Sequence, residues 1–180
     1  MIELGDRAAY DNFCRDSIKQ FAGTTDPVIA ERTVKNSLLL PADAGLLASL
    51  TPLADVAAKS FFDDKANDSW MMPWRCLSLA LMEYRRGNYP GAIGWCNSCL
   101  TYHKDVPPPR LATIHIILAL AYHQLGIPAQ ALSELIQGRT LIDNKFNDGL
   151  DAGNGGQGFW FDWVLARILE REAAAMMEIP

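Results

Sequence analysis

Cysteines and histidines are the residues here whose spacing most resembles a reactive or metal-binding site. Cys96-x-x-Cys99-x-x-x-His103 has the spacing of a metal knuckle, and on a helix the two cysteines share one face. A structural zinc site needs a second Cys/His pair to complete a tetrahedron, and none follows. A redox pair needs a helix N-terminus to stabilise a thiolate, whereas these cysteines fall in mid-helix. Both therefore read as packing residues. The segment Asp143-Asn144-Lys145-Phe146-Asn147-Asp148-Gly149-Leu150-Asp151 has the oxygen ligands of a calcium loop. Aligning Gly149 with the turn glycine of such a loop puts Phe146 at a ligand position and Gly155 at the bidentate acid. No metal site and no cofactor is expected. His103, His115 and His123 have no Ser or Cys nucleophile on a strand–helix elbow. His115 is expected to be a hydrogen-bonded interior residue, and Glu170-Arg171-Glu172 a solvated face. With no nucleophile, base and orienter assembled, the chain reads as non-enzymatic.

The elements that carry these residues are helical throughout. Tyr10, Phe13, Cys14, Ile18 and Phe21 form one stripe ahead of Gly23. Asp26-Pro27 opens a helix to about Leu39, since Asp caps and Pro is tolerated at the first helical position. A third helix covers roughly 44–62, kinked or restarted at Pro52. Pro73 opens a helix ending at Gly87, and Pro90 opens one ending near Tyr102. After Pro107-Pro108-Pro109, a helix runs from about Arg110 to Leu125. Pro128 opens another, to about Ile142. The stretch 143–158 is rich in Gly, Asn and Asp and reads as a flexible loop. A last helix covers about 159–177. No stretch shows strand alternation.

Two of these helix pairs repeat. Leu79-Ala80, Gly87 and Ala92-Ile93 recur as Leu118-Ala119, Gly126 and Ala131-Leu132, with a period of 39 residues. The glycines permit tight turns between antiparallel helices. The alanines let the backbones approach, and Leu79, Ile93, Leu118 and Leu132 are expected to fill the space around them. This pattern resembles the tetratricopeptide repeat, with one unit at 72–102 and another at 110–142 after the proline connector. Cys76 and His115 stand where that family has its tryptophan, and Ala80 and Ala119 where it has its glycine. Residues 1–66 read as degenerate N-terminal helices, and 26–39 lies over the second helix of an earlier repeat with Ala30, Val34 and Ser37 at its packing positions. Leu165-Ala166 repeats the packing pair in 159–177, as a capping helix should. The resemblance implies an all-α superhelix of antiparallel helix pairs in a single domain.

A narrower resemblance rests on Glu83-Tyr84-Arg85-Arg86-Gly87-Asn88-Tyr89, on Leu118-Ala119 with His123-Gln124-Leu125-Gly126, and on Trp160-Phe161-Asp162-Trp163. These phrases look like the C-terminal repeat regions of planctomycete-type bacterial serine/threonine kinases. No Gly-rich loop, His-Arg-Asp or Asp-Phe-Gly signature is present, so a kinase would be a separate part of a larger protein or system.

What the repeat family does then defines the candidate site. Its first helices line a concave groove. Carried over by position, that gives Trp74, Leu77, Leu81, Tyr84 and Arg85, then Thr113, Ile116, Leu120, His123 and Gln124. These are mostly apolar, unlike the Lys/Arg/Asn clamp that the family uses for C-terminal carboxylates. The groove either binds an apolar segment or is filled by the chain itself, and self-filling is favoured. The resulting expectation is a protein- or peptide-binding scaffold, with a small-molecule or peptide sensor as the alternative.

Composition agrees with a binding scaffold. The 180 residues are 49% hydrophobic and 21% charged, with a net charge of −5. No Lys/Arg run offers a nucleic acid a phosphate track. No apolar run approaches the ~20 residues that span a bilayer, so no membrane partner is expected. Four free cysteines in helical stripes, and an N-terminus without an apolar signal region, predict a cytoplasmic setting. The aromatics Phe159, Trp160, Phe161 and Trp163 are expected to be mostly buried, the last helix to stack on 128–142, and Trp160 or Trp163 to close the groove's end.

Overall fold

The computed structural model describes residues 1–62, 71–102, 107–150 and 159–179. All regular structure among them is helical. The eight α-helices are α1 (Arg7–Phe21), α2 (Pro27–Ser37), α3 (Ala44–Lys59), α4 (Met72–Arg85), α5 (Tyr89–Leu100), α6 (Pro108–Gln124), α7 (Pro128–Asp148) and α8 (Trp160–Met176). Two short 3-10 turns, Ile2–Leu4 and Ser60–Phe62, adjoin α1 and α3.

Local chemistry sets the helix ends. Asp26 accepts from the amides of Val28 and Ile29, Asp43 from Leu46, and Asn88 from Gly91, satisfying amides that lack intrahelical partners. Gly87 and Gly126 have φ of 80° and 70°. At the first turn the Gly87 amide donates to the Tyr84 carbonyl and the Asn88 amide to Glu83. At the second, Gly126 donates to His123 and Ile127 to Tyr122. The same C-terminal motif therefore closes α4 and α6, and its left-handed position favours glycine.

The helices pack as antiparallel pairs, α4 with α5 and α6 with α7, and α6 lies at the centre against α5, α7 and α8. The contacts within each pair are small: Ala80, Ala92, Cys96 and Cys99 are fully buried, as are Ala119 and Ala131. Gly138 takes this furthest. A Cβ there would lie 2.6 Å from Ile116 Cδ1 and 3.1 Å from the Ala112 carbonyl oxygen, so α7 crosses α6 at a distance only glycine allows. The N-terminal helices continue this arrangement, with α2 packed on both α3 and α4, and α1 on α2.

Several boundaries and burials differ from the sequence expectations. Pro52 lies inside a continuous α3, on its exposed side. Helix α7 runs on to Asp148, so residues 143–148 are helical. Ile142 and Lys145 continue the buried stripe, and the Arg167 guanidinium lies 3.8 Å from the Phe146 ring centroid. Of the proposed flexible loop 143–158, residues 151–158 lie outside the described residues. Leu132 is largely exposed, so Leu135 and Gly138 rather than Leu132 face α6. Helix α8 lies more against α6 than against α7. Of its four aromatics only Trp163 is buried, while Phe159, Trp160 and Phe161 are each about half exposed. Residues 159–161 and 163 point around most of a helical turn, and the covered side of α8 carries Asp162, Trp163, Leu165, Ala166, Ile168, Leu169 and Ala173.

Candidate functional site

The groove residues do not form one open surface. Leu77, Leu81, Ile116 and Leu120 are buried in the common core, where α2 packs on α4 and α8 on α6. Thr113 is also buried, its hydroxyl donating to the Pro109 carbonyl. Of the remaining residues, Trp74 borders one opening and Tyr84, Arg85 and Gln124 another, toward opposite ends of α8, and His123 borders neither.

One opening, of about 440 Å³, brings together Tyr84, Arg85 and Gln124 with Tyr89 and Glu172. Its charges are satisfied. Arg85 makes a bidentate pair with Glu172, with Nη2 to Oε2 at 2.7 Å, and also donates to the carbonyls of Leu38 and Leu39. The Tyr84 hydroxyl reaches Glu172 at 3.5 Å, and Tyr89 donates to Gln124 at 3.3 Å. Burial, reinforced by the charge of Glu172, pushes the Tyr84 phenol up, so it stays protonated. Glu172 thus faces inward, contrary to the expected solvated Glu170-Arg171-Glu172 face. Glu170 pairs with Arg139, and Arg171 with Glu3. These acids look exposed in sequence because their cations come from α4 and α7.

The other opening is a cavity of about 280 Å³ lined by Glu31, Lys35, Trp74, Phe159, Phe161 and Asp162, among others. Trp74 is the one groove residue placed here. Lys35 Nζ lies 4.5 Å from its ring centroid, and the Arg110 guanidinium carbon 5.4 Å from it, both within cation–π range. Glu31, only 1% exposed, accepts from the Ser78 hydroxyl at 2.8 Å and has Lys35 at 4.0 Å. Asp162, in the first turn of α8, is 6% exposed. Its carboxylate takes part in no hydrogen bond or ion pair among the described residues. Burial pushes its pKa up from the ordinary carboxylate value, Lys35 and Arg32 pull it down, and Glu31 adds to the rise.

No family model, no curated protein and no solved structure matches this chain. The reading of the site therefore rests on its own geometry.

The described cysteines and histidines line neither opening. Cys96 and Cys99 are buried in the α4–α5 contact, and the Cys99 thiol donates to the Pro73 carbonyl at 3.0 Å. Burial raises both thiols, and Cys76 is pushed up to about 12, so all three are protonated at neutral pH. His103 lies outside the described residues. His115 Nδ1 sits 2.6 Å from Glu134 Oε2, joining α6 to α7. His123 is half-buried at the end of α6. Among the described residues, no cluster of three His, Cys, Asp or Glu could hold a metal, and no helix is long and apolar enough to cross a membrane.

Of these cavity-lining residues the sequence pattern singled out Trp74 and not Glu31, Lys35 or Asp162. The available signal was Asp162 itself, an acid embedded in an aromatic run. Lone charges on an otherwise apolar face are uncommon unless they meet a partner.

Proposed function

We propose that this chain is a non-catalytic, tetratricopeptide-like binding module, and that it takes a peptide segment of a partner protein along the edge between α2 and the start of α8. One observation carries this reading. Phe159, Trp160 and Phe161 are half exposed side by side, and Phe159 and Phe161 border the cavity that holds Trp74 and two buried acids. Exposed aromatics beside a concave polar site are the usual anchors of recognition. The concave face that the repeat family uses is occupied by α8, so binding moves to this edge. The tetratricopeptide reading is supported by the 39-residue period and by the same glycine cap at both turns. The link to a kinase-containing protein or system is supported by the Glu83–Tyr89 phrase. The full reading frame tests that link: a kinase domain on the same chain, or encoded beside it, is the expected result.

A random peptide library selected on the intact protein tests the binding mode. Enriched peptides should lose most of their binding to a Trp160→Ala/Phe161→Ser variant that keeps its circular dichroism spectrum. Peptides that bind both proteins equally would remove the aromatic edge from the account.

A second reading, a sensor for a small molecule, is favoured by the cavity itself. At about 280 Å³ it is near the lower limit of ordinary ligand sites, roughly 300 Å³. It would hold one compact group rather than a large ligand.

A further inference from the structure

The cavity between α2, α4 and α8 is lined by two acids, Glu31 and Asp162, and two cations, Lys35 and Arg32, which are unevenly placed. Two carboxylates, Glu31 and Asp162, are more than nine-tenths buried there. Lys35 is the buried ammonium among the lining residues, and it is already engaged by Glu31 and the Trp74 face. Arg32 stands at the mouth with its side chain 65% exposed and 3.7 Å from Glu31, where solvent weakens its effect. Arg110 touches Trp74 from elsewhere in the core; it does not line the cavity or act on Asp162. Glu31 therefore has a hydroxyl donor and a nearby cation, whereas Asp162 has neither hydrogen bond nor ion pair among the described residues. A buried acid left in this state is costly unless a donor reaches it.

We infer that the cavity is a receptor for one organic cation, an ammonium or guanidinium group, which enters past Phe159 and Phe161 and donates to Asp162. Inside the cavity Lys35 is engaged by Glu31, and Arg32 stands at the exposed mouth, so Asp162 is the buried acid that no donor contacts among the described residues. The lining suits such a guest. Phe159 and Phe161 place aromatic rings at the mouth, where they attract a desolvated cation, and Asp162 supplies a charge-assisted acceptor behind them. A metal ion fits poorly, since Lys35 sits beside the carboxylates and hydrocarbon forms much of the wall. The guest could be a side chain of a partner peptide or a free amine; both present the same chemistry. This inference rests on the edge-binding reading for its peptide form, but not for its small-molecule form.

Calorimetric titration of the full chain tests it with three probes: N-acetyl-arginine methylamide, its neutral isostere N-acetyl-citrulline methylamide, and agmatine. The arginine probe should bind, with the citrulline probe at least about tenfold weaker, a factor in line with a charge-assisted contact. Asp162→Asn should weaken arginine binding by a similar factor. The control Asp148→Asn, at the end of α7, should leave it unchanged. Agmatine binding as well as the arginine probe assigns the site to free amines, and preference for the peptide-like probe assigns it to a partner segment. Equal binding of arginine and citrulline, an unaffected Asp162→Asn protein, or no binding of any cationic probe would overturn the inference. The probe comparison is made on the unaltered protein, so it does not depend on how a variant folds. Selected peptides that need Trp160 and Phe161 but carry no essential Lys or Arg would leave the edge-binding reading standing and this inference refuted. Agmatine binding without any selectable peptide would do the reverse.

Discussion

Two of the acids that helix α8 turns inward meet opposite fates. Near its C-terminal end, Glu172 receives a bidentate guanidinium from Arg85, which also ties down two carbonyls at the end of α2. Near its N-terminal end, Asp162 is more deeply buried than Glu172 and, among the described residues, has no partner of this kind. They stand ten positions apart, roughly 15 Å of helix. A buried acid with its hydrogen bonds filled holds a fold together, whereas one left unfilled marks a place where something else is expected. The first end is closed by the protein, and the second is the candidate site.

The largest effect should come from removing the helix that bears both acids. Deletion of residues 159–180 uncovers the faces of Ile116, Leu120 and their neighbours on α6, which are fully buried. The truncated chain should be insoluble or molten, retaining helical circular dichroism while binding a hydrophobic dye. A monomeric truncation with an unchanged melting temperature would make α8 a detachable tail and dissolve the comparison.

Arg85→Ala comes next. It strands Glu172 and frees the carbonyls of Leu38 and Leu39, so it should cost about 3 kcal/mol in urea unfolding. A loss near zero would mean that the closed end is not closed by charge. Ser78→Ala probes the other end, where it removes the hydroxyl that satisfies Glu31. A cost of about 1–2 kcal/mol is expected, because Lys35 remains nearby.

Much of the architecture was legible because it is local. Asp26, Asn88 and the two turn glycines act within a few residues of themselves, and Leu79-Ala80 recurs 39 residues on as Leu118-Ala119. The extension of α7 was missed because the polar residues 143–148 resemble a loop, although Ile142, Lys145 and Phe146 continue a buried stripe. The site was less legible because its defining contacts are distant in the chain. Glu31 meets Ser78 across 47 positions and Arg85 meets Glu172 across 87. Helical period shows that Glu172 lies on a helix surface, but not that α4 brings an arginine to it. It likewise shows that Asp162 shares a face with Ala166 and Leu169, but not that Glu31 and Lys35 approach from α2.

The smallest effect, and the most diagnostic, is that of neutralising each acid in turn. Burial raises the folded pKa of Asp162 despite Lys35 and Arg32, with Glu31 adding to the rise. Its charged form therefore opposes folding. Stability linked to this group is fully present below its unfolded pKa and is lost as pH rises through the higher folded value. At neutral pH Asp162→Asn should raise the melting temperature, and the gain should shrink as the pH falls into the carboxylate range. Glu172→Gln should lower the melting temperature, because it weakens the pair with Arg85. Melting both variants beside the unaltered protein at neutral pH is the most direct test. Opposite signs are the predicted result; a loss of stability from both substitutions would show that Asp162 is a filled structural acid like Glu172, and that the second opening is not a site.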